Sequence, residues 1–268
     1  FHIVKRKNNF YIYLTYEKAE EQCKGDGGRC TIDLGEIHPI TSIDTDGNQY
    51  LFSGRELRSY KRQRNRIHKY VQKRQKTLTK GSKLHKKLER LRDKTSEKTN
   101  NKNRNFLHHV TKKFVENCKK DRVSKVFVGD CRTVGKSTKQ KRSVNRKNRQ
   151  KLSQFEHGTL RQFLRYKCEL NGIGFEEINE AWTTQTCPSC GSMNSPKGRE
   201  YRCSECKFVG HRDVVGSFNM LRLVEGEVDI GLMVKQELKG IRSLKEVAGV
   251  CSSRSIGLVP LNKLLSVA

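Results

Sequence analysis

The chain of 268 residues contains no run of about 18 apolar residues, so nothing in it reads as a helix that crosses a bilayer. It has no secretory pattern, and no basic amphipathic helix with Trp or Phe anchors suited to an anionic membrane surface. Acid is scarce: Asp and Glu number 28 against 56 Lys and Arg, a formal net charge of +28. Such an excess self-repels in isolation and fits a partner with a phosphate backbone. No helix-turn-helix or repeated finger pattern is present, which argues against the common transcription-factor modules. The length allows one large domain or two modest ones, with enough chain to bury a core. The first residue is Phe1 rather than Met, as expected of a fragment of a longer protein.

What the chain does have is cysteine, ten in all. Without a secretory signal these read as reduced thiols plus a metal site. Six stand alone in sequence: Cys23, Cys30, Cys118, Cys131, Cys168 and Cys251. The other four form Cys187-Pro-Ser-Cys190 and Cys203-Ser-Glu-Cys206, twelve residues apart. Two such knuckles supply four thiolates that can close a tetrahedron around Zn²⁺ with bonds of about 2.3 Å. Pro188, Gly191, Pro196 and Gly198 are turn-formers that the knuckles need. Two disulfides are the competing reading, and nothing in the sequence suggests secretion. Zinc held by four cysteines is structural, because no coordination position stays open for water.

Along the chain, Phe10–Thr15 reads as a strand, rich in aromatic and β-branched residues. Past a glycine-rich break at Gly25, Gly27 and Gly28, strands are expected at Cys30–Gly35, Ile40–Ile43 and Gln49–Phe52, with a hairpin turn over Asp44–Asn48. A basic helical stretch runs from Gly54 to about Lys98, broken near Gly81, with Leu84, Leu88 and Leu91 at helical spacing. A second helix is expected over Asn103–Lys119 and a short strand over Val123–Val128. Residues 132–151 carry nine Lys/Arg and no acid, and read as a mobile basic loop. A helix over Gln154–Asn171, a strand over Gly174–Asn179, the ribbon, and a helix over Asp213–Val224 complete the pattern. This order fits an RNase H-like domain, although doubly wound folds share its second half.

Phosphodiester hydrolysis in such a fold uses acids held on separate elements. Asp33 lies inside Thr31-Ile-Asp-Leu-Gly35, mid-strand, where a charge is costly unless paired or on a metal. Asp213 stands near a helix N-terminus and serves equally well as a metal ligand or as a plain cap. A third acid comes from Asp130, after Val126-Phe-Val-Gly129, or from Glu180, which alternation places on the face of Ile178.

The block Glu180-Ala-Trp-Thr-Thr-Gln-Thr-Cys-Pro-Ser-Cys-Gly191, then Pro196-Lys-Gly-Arg-Glu-Tyr-Arg-Cys-Ser-Glu-Cys206, then Gly210-His-Arg-Asp-Val-Val-Gly-Ser-Phe-Asn219, resembles the C-terminal half of TnpB proteins, transposon-encoded RNA-guided endonucleases related to compact type V CRISPR effectors. Thr31–Glu36 is similar to their first RuvC motif, and the likeness covers roughly Phe10 to Leu223. It implies an α/β fold: an RNase H-like (RuvC) mixed sheet with flanking helices and an inserted four-cysteine zinc ribbon. The implied layout is a remnant of an N-terminal wedge-like β domain over 1–24 and a first nuclease segment over 25–182 with a basic helical insertion at 54–122. The ribbon follows over 183–210, a last nuclease segment over 211–225, and a tail over 226–268.

The resemblance implies an Asp-Glu-Asp triad holding two Mg²⁺ ions, with Asp33 first and Asp213 third. Where many members have Glu-Asp on the central strand, this chain has Gly129-Asp130. A subgroup shares that pair and has a glutamate shortly before the ribbon, so Glu180 takes the missing role and Asp130 stands in support. Implied partners are target DNA and a guide RNA, in a prokaryotic cytoplasm at the nucleoid. Arg142, Arg146, Lys147 and Arg149 are the expected backbone contacts, and Trp182 can stack on a base or pack on the ribbon. Two alternatives remain: a nuclease-inactive DNA-binding protein, guided repressor or relic, and a transposase-type accessory of DNA recombination.

Overall fold

The computed structural model describes residues 1–6, 9–17, 27–130, 145–196, 198–229, 231 and 239–241. Arg142, Cys23, Cys131 and Cys251 lie outside them. Strands β1 (His2–Arg6) and β2 (Asn9–Tyr13) form a separate antiparallel ribbon. The first of these was not legible in His2-Ile-Val-Lys-Arg6, which is short and half charged.

The central sheet has six strands: β3 (Gly28–Asp33), β4 (Ile40–Asp44), β5 (Gln49–Phe52), β6 (Val123–Gly129), β7 (Gly174–Ile178) and β10 (Lys239–Ile241), in the order β10-β5-β4-β3-β6-β7. The first three form antiparallel hairpins; β6 and β7 then join β3 in parallel. Gly47, at φ +84°, takes the left-handed position in the turn between β4 and β5. Strand β10 pairs with β5 from a part of the chain whose sequence pattern suggests no element.

Helix α1 (Arg55–Gln75) is followed by a break at Gly81, φ +84°, and by α2 (Lys83–Lys120), capped by Ser82 Oγ, which accepts from His85 N at 3.2 Å. The expected second helix from Asn103 is therefore the continuation of one 38-residue helix. Its polar middle contains no Gly or Pro to stop it. Thr99 Oγ1 donates back to Thr95 O, and buried Asn103 donates to Glu156 Oε1 at 2.8 Å. The basic segment read as a loop over 132–151 is also corrected at its end. Arg146–Ser153 is helix α3, started by Asn145, whose side chain accepts from Lys147 N at 3.0 Å. It buries no side chain, so no apolar period announces it.

Helices α2 and α4 (His157–Glu169) cover one face of the sheet. There Phe106, Val110, Phe114, Leu160 and Leu164 pack on Ile32, Val126 and Val128. Cys30, Cys118 and Cys168, isolated in sequence, lie together in this core, and burial pushes the thiols of Cys118 and Cys168 up. Helix α5 (Arg212–Glu225) lies on the opposite face, its Phe218 and Leu221 packed on Ile43. The short hairpin β8 (Glu200–Arg202) and β9 (Val209–His211) belongs to the cysteine-rich insertion that precedes α5. No described helix is long and apolar enough to cross a membrane.

Candidate functional site

Strands β3, β6 and β7 run parallel, and the N-terminal half of α5 packs against the C-terminal end of β3. In open α/β sheets this is where ligands bind. Alternation turns Cys30 and Ile32 into the core and Thr31 and Asp33 toward α5. Thr31 Oγ1 donates to Ser217 O at 2.7 Å, and Asp33 N donates to Ser217 Oγ at 3.3 Å. The helix crosses so closely that a Cβ on Gly216 would stand 3.0 Å from Asp33 Oδ2. Asp213 is one turn earlier on the same face of α5 and is buried.

The parallel register pairs Ile32 with Val128, and the next positions along are Asp33 and Gly129. Gly129 thus faces the same side as Asp33. A Cβ built on it would land on Glu180 Oε2. The carboxylate of Glu180 therefore fills the space that a side chain at position 129 would occupy. That oxygen is buried and has no hydrogen-bond partner. Asp130 faces the other way, where Arg161 Nη1 stands 3.1 Å from both its Oδ1 and Glu177 Oε2.

The electrostatics match this placement. Burial, then the negative charges of Asp213 and Glu180, push the Asp33 carboxyl up to about 8. Burial and the charge of Asp130 raise Glu180, against the pull of Arg161. Burial also pushes Asp213 upward, but the hydrogen bond from His38 and the charge of Arg199 outweigh it and hold that carboxyl below its usual range. Several carboxylates crowded in one crevice cannot all ionise unless a cation joins them. Hard oxygens, one of them unpartnered, fit a divalent ion such as Mg²⁺.

Two residues near Asp213 were not anticipated from the sequence. Arg199, from the ribbon, donates from Nη1 to both carboxylate oxygens, at 3.0 and 2.7 Å. His38, buried in the loop after β3, donates from Nδ1 to Oδ2 at 2.7 Å. Neither belongs to a motif of spaced ligands, and only the fold brings them there.

The ribbon brings Cys187, Cys190, Cys203 and Cys206 together, with all four sulfurs within 4.8 Å of one another. The pairs Cys187–Cys206 and Cys190–Cys203 are 3.6 Å apart, close to the ~3.8 Å edge of a tetrahedron with bonds of about 2.3 Å. A hydroxyl contact from Ser192 lowers the thiols of Cys190 and Cys203 toward the thiolate that a metal takes, whereas burial raises Cys187. Tyr201 is fully buried in the ribbon core, its hydroxyl donating to Gln185 O at 3.0 Å. Asn219 and Arg222 of α5 fasten the ribbon by donating to Thr183 O, Thr186 O and Pro188 O. Trp182, at the ribbon's root, is 65% exposed, on a backbone with φ +69°.

Arg146, Lys147 and Arg149 line a groove of about 1350 Å³ between α1 and α3, opposite Arg62, Arg66 and Lys69. No acid but Glu36 lines it, and that carboxylate is paired with Arg58 at 3.0 Å. Rows of cations on facing helices suit a polyanionic backbone.

Compared with known proteins, residues 13–135 match the family described as Probable transposase, and residues 157–220 match the Cas12f1-like TNB domain. The chain is 32% identical over 198 residues to the TnpB-like protein MJ0751 of Methanocaldococcus jannaschii, covering 72% of this chain and 67% of that protein. Among solved structures it is similar to the protein of a Cas12f1-sgRNA-target DNA complex, with TM-score 0.53 and 15% identity over 72% of this chain. A CRISPR-Cas12f ternary complex gives TM-score 0.56 and 14% identity over 78% of it. The chain spans 49% and 41% of those two proteins, less than half of either. The fold is a RuvC-like mixed sheet with flanking helices and an inserted four-cysteine ribbon, and the chain belongs to the TnpB family.

Proposed function

We propose that the chain is the nuclease portion of an RNA-guided, metal-dependent DNA endonuclease carried by a transposable element. The observation that carries this reading is the carboxylate of Glu180, seated over Gly129 beside Asp33. It restores an acid at the crevice position where the central strand lacks one.

In this reading Asp33, Glu180 and Asp213 hold the ions, while Asp130 stays with Arg161 on the far side of β6 and only biases Glu180. Two Mg²⁺ ions, when bound, supply an activated water and neutralise charge at the scissile phosphate. Arg199 and His38 fix the carboxylate of Asp213 in one orientation, and the guanidinium offers a positive charge beside a phosphate in transition. Zn²⁺ in the four-cysteine cluster keeps the ribbon folded, and with it the position of Arg199.

The groove lined by Arg146, Lys147 and Arg149 grips nucleic-acid backbone by charge, with sequence read by a guide RNA instead of the protein. Exposed Trp182 gives a stacking surface at the mouth of the ribbon. A second reading rests on Gly129 itself. If the glutamate on β6 is not replaced in function, the same charge makes a DNA-binding protein without cleavage.

The test is cleavage of target plasmid in Mg²⁺ by the chain loaded with RNA from its flanking locus, alongside Asp33→Asn and Glu180→Gln. Loss of cleavage in both variants, with DNA binding kept, is the expected result. Binding without a cut in the unmodified chain favours the second reading.

A further inference from the structure

Asp213 has neighbours that a purely oxygen-lined Mg²⁺ site does not need. His38, His211 and Asp213 each bring one ligand atom within 4.8 Å of the other two, and among the described residues only the four cysteines do the same. The acids Asp33, Glu180 and Asp213 do not form such a group.

The three residues come from separate elements, each fixed by its own local structure. His38 closes a turn in which Gly35 N donates to His38 O at 2.9 Å. His211 ends β9, paired with Glu200 across the ribbon hairpin, and stands at the N-cap of α5. Asp213 sits in the first turn of that helix. The two imidazoles are tilted toward each other, with centroids 5.3 Å apart. His38 is only 7% exposed, and His211 Nδ1 is buried with no hydrogen-bond partner.

We propose that His38 and His211, with the Asp213 carboxylate that they share with the acidic site, form a second cation position at the ribbon–nuclease junction, taking a divalent first-row transition ion of the Co²⁺ or Zn²⁺ class rather than Mg²⁺. Two imidazoles and one carboxylate suit such ions, whereas Mg²⁺ demands oxygen and water. Ligand atoms on bonds of about 2.1 Å stand roughly 3 to 3.5 Å apart, so small side-chain rotations close the site. Arg199 does not block it. A carboxylate has about four lone-pair positions, and Arg199 takes one on each oxygen. A neutral imidazole with its proton on Nε2 leaves His38 Nδ1 with a lone pair for the ion. The inference goes beyond nuclease activity and does not depend on it.

The test is a Co²⁺ titration of the zinc-reconstituted chain in the presence of excess Mg²⁺. Weak visible ligand-field bands should appear without thiolate charge transfer, which shows that the ribbon keeps its zinc. Affinity should fall about tenfold or more in His211→Ala and in His38→Gln. Circular dichroism and zinc content check that both variants fold. Asp33→Asn should bind Co²⁺ as the unmodified chain does while losing cleavage, so failure of this site and failure of the nuclease reading are separable. Visible bands that are absent, abolished by Mg²⁺, or unchanged in both histidine variants overturn the proposal.

Discussion

The four ribbon cysteines come from one short stretch, Cys187 to Cys206, whereas Asp33, Glu180 and Asp213 come from a strand, a loop and a helix far apart in the chain. The ribbon can assemble its ligands with two turns and a hairpin, almost independently of the rest. The acidic crevice exists only after β3, β6, β7 and α5 have packed. A local cluster therefore announces itself by spacing, and a distributed one does not. The two are also joined: Arg199 leaves the ribbon to reach Asp213, and Asn219 leaves α5 to hold the ribbon's root. The ribbon is independent in its ligands and dependent in its placement.

The largest expected effect breaks the local half. If the four cysteines hold the proposed zinc, its chelation, or Cys187→Ser, should unfold the insertion outright, since structural zinc supplies roughly 10 kcal/mol or more of folding free energy in isolated fingers. The chain's single tryptophan, Trp182, reports it as a change in fluorescence. The strands of the central sheet should stay folded, as circular dichroism would reveal. Loss of the whole fold on chelation would mean that the ribbon is not a separable unit.

Smaller effects probe the distributed half. In buffer without added Mg²⁺, Asp33 is raised to about 8 in the folded chain, against about 3.9 unfolded. Folding then favours the protonated form, so this contribution is complete below about pH 4 and is lost as pH rises through about 8. Thermal melts should show Tm falling over that interval, and Mg²⁺ should restore more stability at the upper end than at the lower. Asp33→Asn should flatten both dependences. A Tm that rises with pH across the same interval in the unmodified chain, but not in Asp33→Asn, would contradict the crowding of acids in the crevice.

The smallest effects concern the outer surface. Replacing Arg146, Lys147 or Arg149 with Ala should weaken nucleic-acid binding for all sequences alike and reduce the salt slope by about 1 each. Trp182→Ala should cost about 1–3 kcal/mol in single-strand affinity and leave the salt slope unchanged, because stacking releases no counterions. Equal salt slopes in the unmodified chain and the basic variants would remove the groove from the interface.

Legibility in the sequence follows the same division. The cysteine spacing and the alternation of apolar and polar residues over Cys30–Asp33 in β3 need only neighbours along the chain. So does Asp33, a charge inside an apolar strand. The continuity of α2 past Thr99 was hidden because Thr99 bonds back within the helix and buried Asn103 finds its partner across space, in Glu156. Helix α3 was hidden because it buries nothing. Glu180 could be suggested by alternation with Ile178, but its seat over Gly129 depends on the register between β3, β6 and β7. His38 and Arg199 carried no signal at all, since each is a common residue type in a turn or a basic segment until the fold sets it against Asp213.

The most direct measurement moves the glutamate back. In guided plasmid cleavage, Glu180→Gln alone should reduce the rate about a hundredfold or more, as loss of a group that stabilises the transition state does. Gly129→Glu combined with Glu180→Ala should recover much of it, because alanine vacates the space that the Glu180 carboxylate fills and the new side chain grows into it. Recovery is the result this account predicts. A double variant that binds DNA and folds, yet stays as inactive as Glu180→Gln, would contradict the claim that position 180 supplies the acid that position 129 lacks.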